Sequence, residues 1–144
     1  MNTINVYDKA KYHAKTVSDY GLPKEHAYNH TTYFLKWLID NDLVGGVLTE
    51  DFSNELSQCK SGAMTVNRLY EITDCCLVSD MLNEDGNQFA LYYFDFENGR
   101  YLSDYETTLL GNLESMFHIA YSDANYKLFK SVIDNQFAKW KGNN

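Results

Sequence analysis

Residues 23–46 read PKEHAYNHTTYFLKWLIDNDLVGG, and within them Ala27, Thr31, Phe34 and Leu38 recur at spacings of four, three and four, with Leu35 and Trp37 on the flanks. Side chains three and four apart share one face of a helix, so this stretch predicts a helix with an apolar stripe that must be buried. Pro23 suits the first turn, where its missing N–H costs nothing, and Gly45-Gly46 supplies a stop after Leu43. The C-terminal end of the chain carries a matching pattern. Tyr126, Phe129, Ile133, Phe137 and Trp140 follow at spacings of three, four, four and three, with Val132 beside them and Ser122 or Asp123 as the cap. Two such stripes are expected to pack on each other.

Between these helices the spacing predicts further short ones. Residues 4–18 read as a first helix, with Tyr7, Ala10 or Lys11, and Ala14 on one face. Thr49 reads as the N-cap of a helix over 50–59, and Leu69, Ile72 and Thr73 mark one over 64–74. Asn83 caps a helix over 84–98 that Gly99 ends; its middle, residues 89–94, has strand-like composition but lacks the alternation of a half-buried strand. Ser103 and Glu106 have the spacing of a capping box that opens a short helix ending at Gly111, and residues 116–119 read as extended. The expected fold is mainly α: a compact single domain over 1–144, a bundle of about six or seven helices with room for a short β element near 113–120.

A chain of 144 residues is long enough to bury roughly two thirds of its unfolded surface without staples. Twelve Tyr and eight Phe mean that burial relies on large rings. The three cysteines are odd in number, and adjacent Cys75 and Cys76 are poorly placed for an ordinary bridge, so all read as reduced thiols. The start lacks the apolar core of a signal peptide and no run is long enough for a membrane span, which predicts a cytoplasmic protein.

Charge has two readings, a surplus of acids that simply keeps the protein soluble and a field that selects partners. The formal net charge is −8, and between Glu71 and Glu114 ten acids stand against the single base Arg100. That field repels nucleic acid and anionic membrane and steers basic partners inward. Lys9, Lys11, Lys15 and Lys24 cluster near the start instead.

Chemistry-bearing arrangements are sparse. His26 and His30 stand four apart on the predicted helix beside Glu25, but a metal site would need His13 or His118 from elsewhere, and Ala27 stands where a metalloprotease helix has its Glu. Residues 95–106 place Asp95, Glu97, Tyr101, Ser103 and Glu106 at calcium-loop spacing, yet the obligatory sixth-position glycine is Arg100, with Gly99 one place early. Ser61-Gly62 lacks a nucleophile elbow, there is no phosphate-cradling loop, and adjacent Glu84 and Asp85 diverge on a helix. The residues therefore predict no enzyme, no cofactor and no bound metal.

Tyr7-Asp8-Lys9-Ala10 with His13, then Leu22-Pro23, His30, Phe34-Leu35-Lys36-Trp37, the segment Leu82 to Ala90, Tyr101-Leu102-Ser103-Asp104-Tyr105, Val132-Ile133 and Phe137 to Trp140 together resemble a family of small acidic bacterial proteins similar to immunity proteins of toxin systems, contact-dependent growth inhibition among them. The chain departs from that pattern at Lys11 and Tyr12, where a small polar residue and Trp are usual. The resemblance implies an immunity protein that binds and neutralises a toxin; joined to the sequence's own signals, it predicts a cytoplasmic monomer or weak homodimer whose acidic charge suits a basic protein toxin, a nuclease among the candidates. Charge then nominates Asp80, Glu84, Asp85, Asp95, Glu97, Asp104 and Glu106 as toxin-facing residues. The alternatives are a small metal-dependent or hydrolytic enzyme using His26 and His30, and a general protein-interaction module.

Overall fold

A computed structural model describes residues 3–143. Its centre is helix α2, Asn29–Asp40, in which every residue from Asn29 to Ile39 except Lys36 is buried. The stripe expected on one face has become burial on nearly all faces, so the polar residues of this helix are inside as well. The preceding residues do not continue it. Lys24–Ala27 form a 3-10 turn, and Tyr28 at φ −133° breaks the helical path before Asn29. At the other end the chain turns at Asn41 and Asp42, the latter in the left-handed region at φ 56°. The reversal therefore comes ahead of the glycine pair, and Leu43-Val44 runs on extended, with Val44 bridging to Leu82.

Helix α8, Asp123–Gly142, lies against α2 as expected. Ser122 Oγ accepts the Asn125 N–H at 3.1 Å as its cap. Ring contacts join the two helices: Tyr33 to Phe129 at 6.3 Å between centroids and Trp37 to Phe137 at 5.2 Å. Polar ties secure the same seam, since Trp37 Nε1 donates to Asp134 at 2.8 Å and the Tyr126 hydroxyl to Asp40 at 2.6 Å.

The first element is not a helix. Val6–Lys9 form strand β1, a 3-10 turn follows over Ala10–Tyr12, and only Ala14–Asp19 make helix α1. Strand β1 pairs antiparallel with β2, Cys76–Val78, in the register Val6 to Val78, Asp8 to Leu77 and Lys9 to Cys76, with a bulge between Val6 and Asp8. The pairing spans some seventy positions of sequence, and the bulge breaks the alternation by which a strand is read locally. The β element looked for near 113–120 is instead a 3-10 turn, Met116–His118, capped by Ser115. Local hydrogen bonding by a serine suffices for a turn but offers no ladder to a partner strand.

Between these lie α3, Val47–Glu50; α4, Ser53–Ser61; α5, Val66–Ile72; α6, Glu84–Tyr93; and α7, Tyr101–Leu109. Thr49 sits inside α3 rather than capping α4, its hydroxyl donating to the Gly46 carbonyl. Asn83 does cap α6, accepting the Gly86 N–H at 2.8 Å, and residues 89–93 are helical. That helix ends five residues early because the Asp95 carboxylate draws back the N–H groups of Glu97 and Asn98 into a turn. Ser103 and Glu106 lie within α7, so they form no capping box. The architecture is mainly helical, eight α-helices and one two-stranded sheet among the described residues, around one continuous core. No helix among the described residues is long and apolar enough to cross a membrane, and all three cysteines are free thiols.

Candidate functional site

Strand β1 carries an acid into the interior: of Val6–Lys9 only Asp8 is fully buried, at 1% exposure. Its carboxylate meets three side chains brought from two other places. His13, at the start of α1, puts Nε2 2.8 Å from Asp8 Oδ1. The first turn of α2 supplies Thr31, whose hydroxyl donates to Oδ2 at 2.5 Å, and His30, whose Nε2 stands 3.0 Å from the same oxygen. Burial opposes ionisation of Asp8, but the hydrogen bonds of His13 and Thr31 and the close approach of the His30 ring outweigh it and hold the carboxyl well below the usual carboxylate range. For His30, burial dominates over the pull of Asp8 and lowers its affinity for a proton.

His30 is unusual in its polar accounting. It is 1% exposed, its Nδ1 has no hydrogen-bond partner among the described residues, and its Nε2, though close to Asp8, lies outside good hydrogen-bond alignment. Phe117 packs edge-on against His30 at 5.8 Å and is tilted against His13 at 5.5 Å, while Phe96 covers another side of His30 at 5.8 Å. Only His13, its side chain 20% exposed, reaches solvent. The arrangement can share protons or hold a small cation. With Asp8 and His30 buried, it offers no organic substrate a way to the carboxylate.

This is not the pair suggested by spacing. His26 sits in the 3-10 turn before Tyr28, and its Nδ1 contacts the Phe117 carbonyl at 2.6 Å, so the break at Tyr28 separates it from His30. His118 is engaged by Ser115 at 2.9 Å and by Glu114 at 3.4 Å. The residue overlooked was Asp8. An acid between Tyr7 and Lys9 signals nothing if residues 4–18 are helical, and is informative only once they are read as a strand facing the core. The span 95–106 is likewise a turn followed by α7, with Tyr101 buried and donating to the His30 carbonyl at 2.5 Å, which leaves no calcium loop.

The nominated acids divide into separate groups. Asp80 is exposed in the turn after β2, Glu84 and Asp85 are exposed in the first turn of α6, Glu97 is exposed in the loop after α6, and Glu106 is exposed on α7. Asp85 is 3.4 Å from Lys141. Asp95 is half-buried, and its hydrogen bonds from Glu97 and Asn98 lower its carboxyl pKa. Asp104 does not belong to the surface: it is buried, accepting from the Tyr93 hydroxyl at 2.7 Å and from Gln136 at 3.1 Å. Acid content along the sequence does not distinguish a solvated carboxylate from an internal strut.

Three of these acids flank a feature that charge alone did not indicate. Strand β1 and helix α6 enclose two adjoining clefts, one bordered by Val6, Leu91, Asp95 and Glu97, the other by Ile4, Asp80, Gln88 and Leu91. The lining residues Ile4, Val6 and Leu91 are 57%, 44% and 49% exposed, and no Lys or Arg lines either cleft among the described residues. An exposed apolar strip whose charged neighbours are all acids is thus available to a partner.

No curated protein and no solved structure matches the chain. One family does, over residues 6–119, from the first residue of β1 to the segment before α8, a span containing Asp8, His13, His30 and the seven acids nominated as toxin-facing. The chain belongs to the family defined by DUF7832, a domain of unknown function.

Proposed function

We propose that this protein is an immunity-type inhibitor that captures a basic protein toxin on the surface between β1 and α6. The observation that carries the reading is the apolar strip of Ile4, Val6 and Leu91 with Asp80, Asp95 and Glu97 at its edge and no base lining it among the described residues. Protein interfaces concentrate binding energy in apolar and aromatic anchors, while a charged rim speeds encounter and rejects partners of the wrong sign. A toxin that acts on nucleic acid needs a basic active site, and such a rim complements it. Burial of Asp8 and His30 argues against catalysis at the polar cluster, so binding is the better account than hydrolysis.

The test is co-expression with a basic toxin encoded next to the gene, scored by growth rescue and by co-purification. Rescue with a stable one-to-one complex is the expected result. A protein that neither binds the neighbour nor protects cells from it is not an immunity protein.

A further inference from the structure

We propose that Asp8, His13 and His30 form a binding site for a divalent transition-metal ion, zinc by the chemistry of its donors. Each residue offers a ligand atom, and these atoms lie within 4.8 Å of one another. Four ligands held about 2.0–2.1 Å from a tetrahedral zinc stand ~3.4 Å apart. The contacts of His13 with Asp8 Oδ1 at 2.8 Å and of His30 with Oδ2 at 3.0 Å are shorter than this, and no donor separation exceeds 4.8 Å, so enclosing the ion takes side-chain shifts on the order of an ångström, within the reach of torsional adjustment. Two imidazole nitrogens with one carboxylate oxygen suit zinc and its neighbours rather than magnesium or calcium, which prefer oxygen alone.

A second observation points the same way. Among the described residues, buried His30 has no hydrogen-bond partner at Nδ1 and only a poorly aligned contact with Asp8 at Nε2, a costly state for a polar group in a core. Coordination by Nε2 would satisfy that nitrogen. The Phe96 and Phe117 rings form a dry wall around the donors, and half-buried His13 leaves a path from solvent. Three protein ligands leave one position for water or for the Thr31 hydroxyl, which already stands beside the carboxylate. The bound ion would join β1 and the start of α1 to the first turn of α2.

The full chain, stripped with chelator, should be titrated with Zn²⁺ and separately with Co²⁺. The expected results are saturation at one ion per chain, visible absorption of four-coordinate Co²⁺, and a rise in melting temperature with Zn²⁺ that Mg²⁺ does not reproduce. H13Q, a change at the rim of the cluster, should remain folded and lose all three signals, while H26Q and H118Q keep them. Should D8N fail to fold, H13Q still decides. Absence of saturable one-to-one binding in the wild-type protein, or binding unchanged in H13Q, would show that the cluster is only a buried ion-pair network and overturn the proposal.

Discussion

Tyr93 on α6 donates its hydroxyl proton to Asp104 on α7 across 2.7 Å, and Gln136 on α8 donates to the same carboxylate oxygen at 3.1 Å. One buried acid thereby ties three helices. Burial and the adjacent charge of Asp104 both push the Tyr93 hydroxyl far above its ordinary pKa, so it remains a donor at any physiological pH. Replacing Tyr93 with Phe should destabilise the fold by about 1.5–3 kcal/mol, the range for a hydrogen bond to a charged group. Replacing exposed Glu106 on the same helix with Ala should change stability by less than about 0.5 kcal/mol. Equal denaturation midpoints for Y93F and the wild type would remove Asp104 from its structural role.

Gly86 gives a prediction opposite in sign to helix propensity. It lies in the first turn of α6, where Ala would ordinarily be better by about 0.5–1 kcal/mol. Here a Cβ would stand 2.2 Å from the Leu43 carbonyl oxygen, which also accepts the Asn83 N–H at 3.1 Å. Backbone is on both sides and neither can yield cheaply. G86A should therefore destabilise by about 1–3 kcal/mol through overpacking, and a higher melting temperature for that variant would refute the close approach.

Tyr28, 2% exposed, donates to Glu71 on α5. That hydrogen bond, with smaller help from Arg68 and Lys24, lowers the Glu71 carboxyl below its ordinary value near 4.5. A carboxyl with a depressed folded pKa contributes stability above the unfolded pKa and loses it as pH falls through the folded one. Y28F should thus be less stable than wild type by on the order of 1.5 kcal/mol at neutral pH, the low end for a charged acceptor that is partly solvated. The gap should narrow below pH 4.5 as Glu71 takes a proton in the unfolded chain and then in the folded one. A gap that widens on acidification would contradict the sign.

What could be read from the sequence was local. Of the stripe from Ala27 to Leu38 the helix holds Thr31, Phe34 and Leu38 but not Ala27, while the stripe from Tyr126 to Trp140 and the caps at Asn83 and Ser122 are present, and each of these depends on residues within a few positions. Strand β1 depends on Cys76–Val78, far along the chain, and its bulge hides the two-residue period. The polar cluster was illegible for the same reason. His13 and His30 are visible as donors, but Asp8 joins them only through the sheet, and the helical spacing of His26 and His30 misleads because Tyr28 breaks the helix between them. Burial of Asp104 depends on Tyr93 and Gln136 from two other helices, which no count of acids contains.

The proposed interface separates charge from contact, and each should appear in a different rate. Asp80 and Glu97 are exposed acids at the edges of the two clefts and among the described residues accept no side-chain hydrogen bond that would be lost on substitution, whereas Asp95 holds its own turn and is best left intact. Reversing Asp80 and Glu97 to Lys should slow association with the basic partner and flatten its dependence on salt, because rim charges act on the encounter. Leu91→Arg places a cation where the partner is basic and removes an apolar anchor that is 49% exposed, so it should accelerate dissociation and cost about 2 kcal/mol or more of affinity. Since Leu91 is exposed, the variant should melt within about 2–4 °C of wild type, which distinguishes lost binding from lost folding. Association and dissociation rates by surface plasmon resonance at two salt concentrations supply the measurement. If D80K/E97K and L91R both bind and protect as the wild type does, the partner sits elsewhere on the molecule, and the surface between β1 and α6 has to be given up even where immunity itself stands.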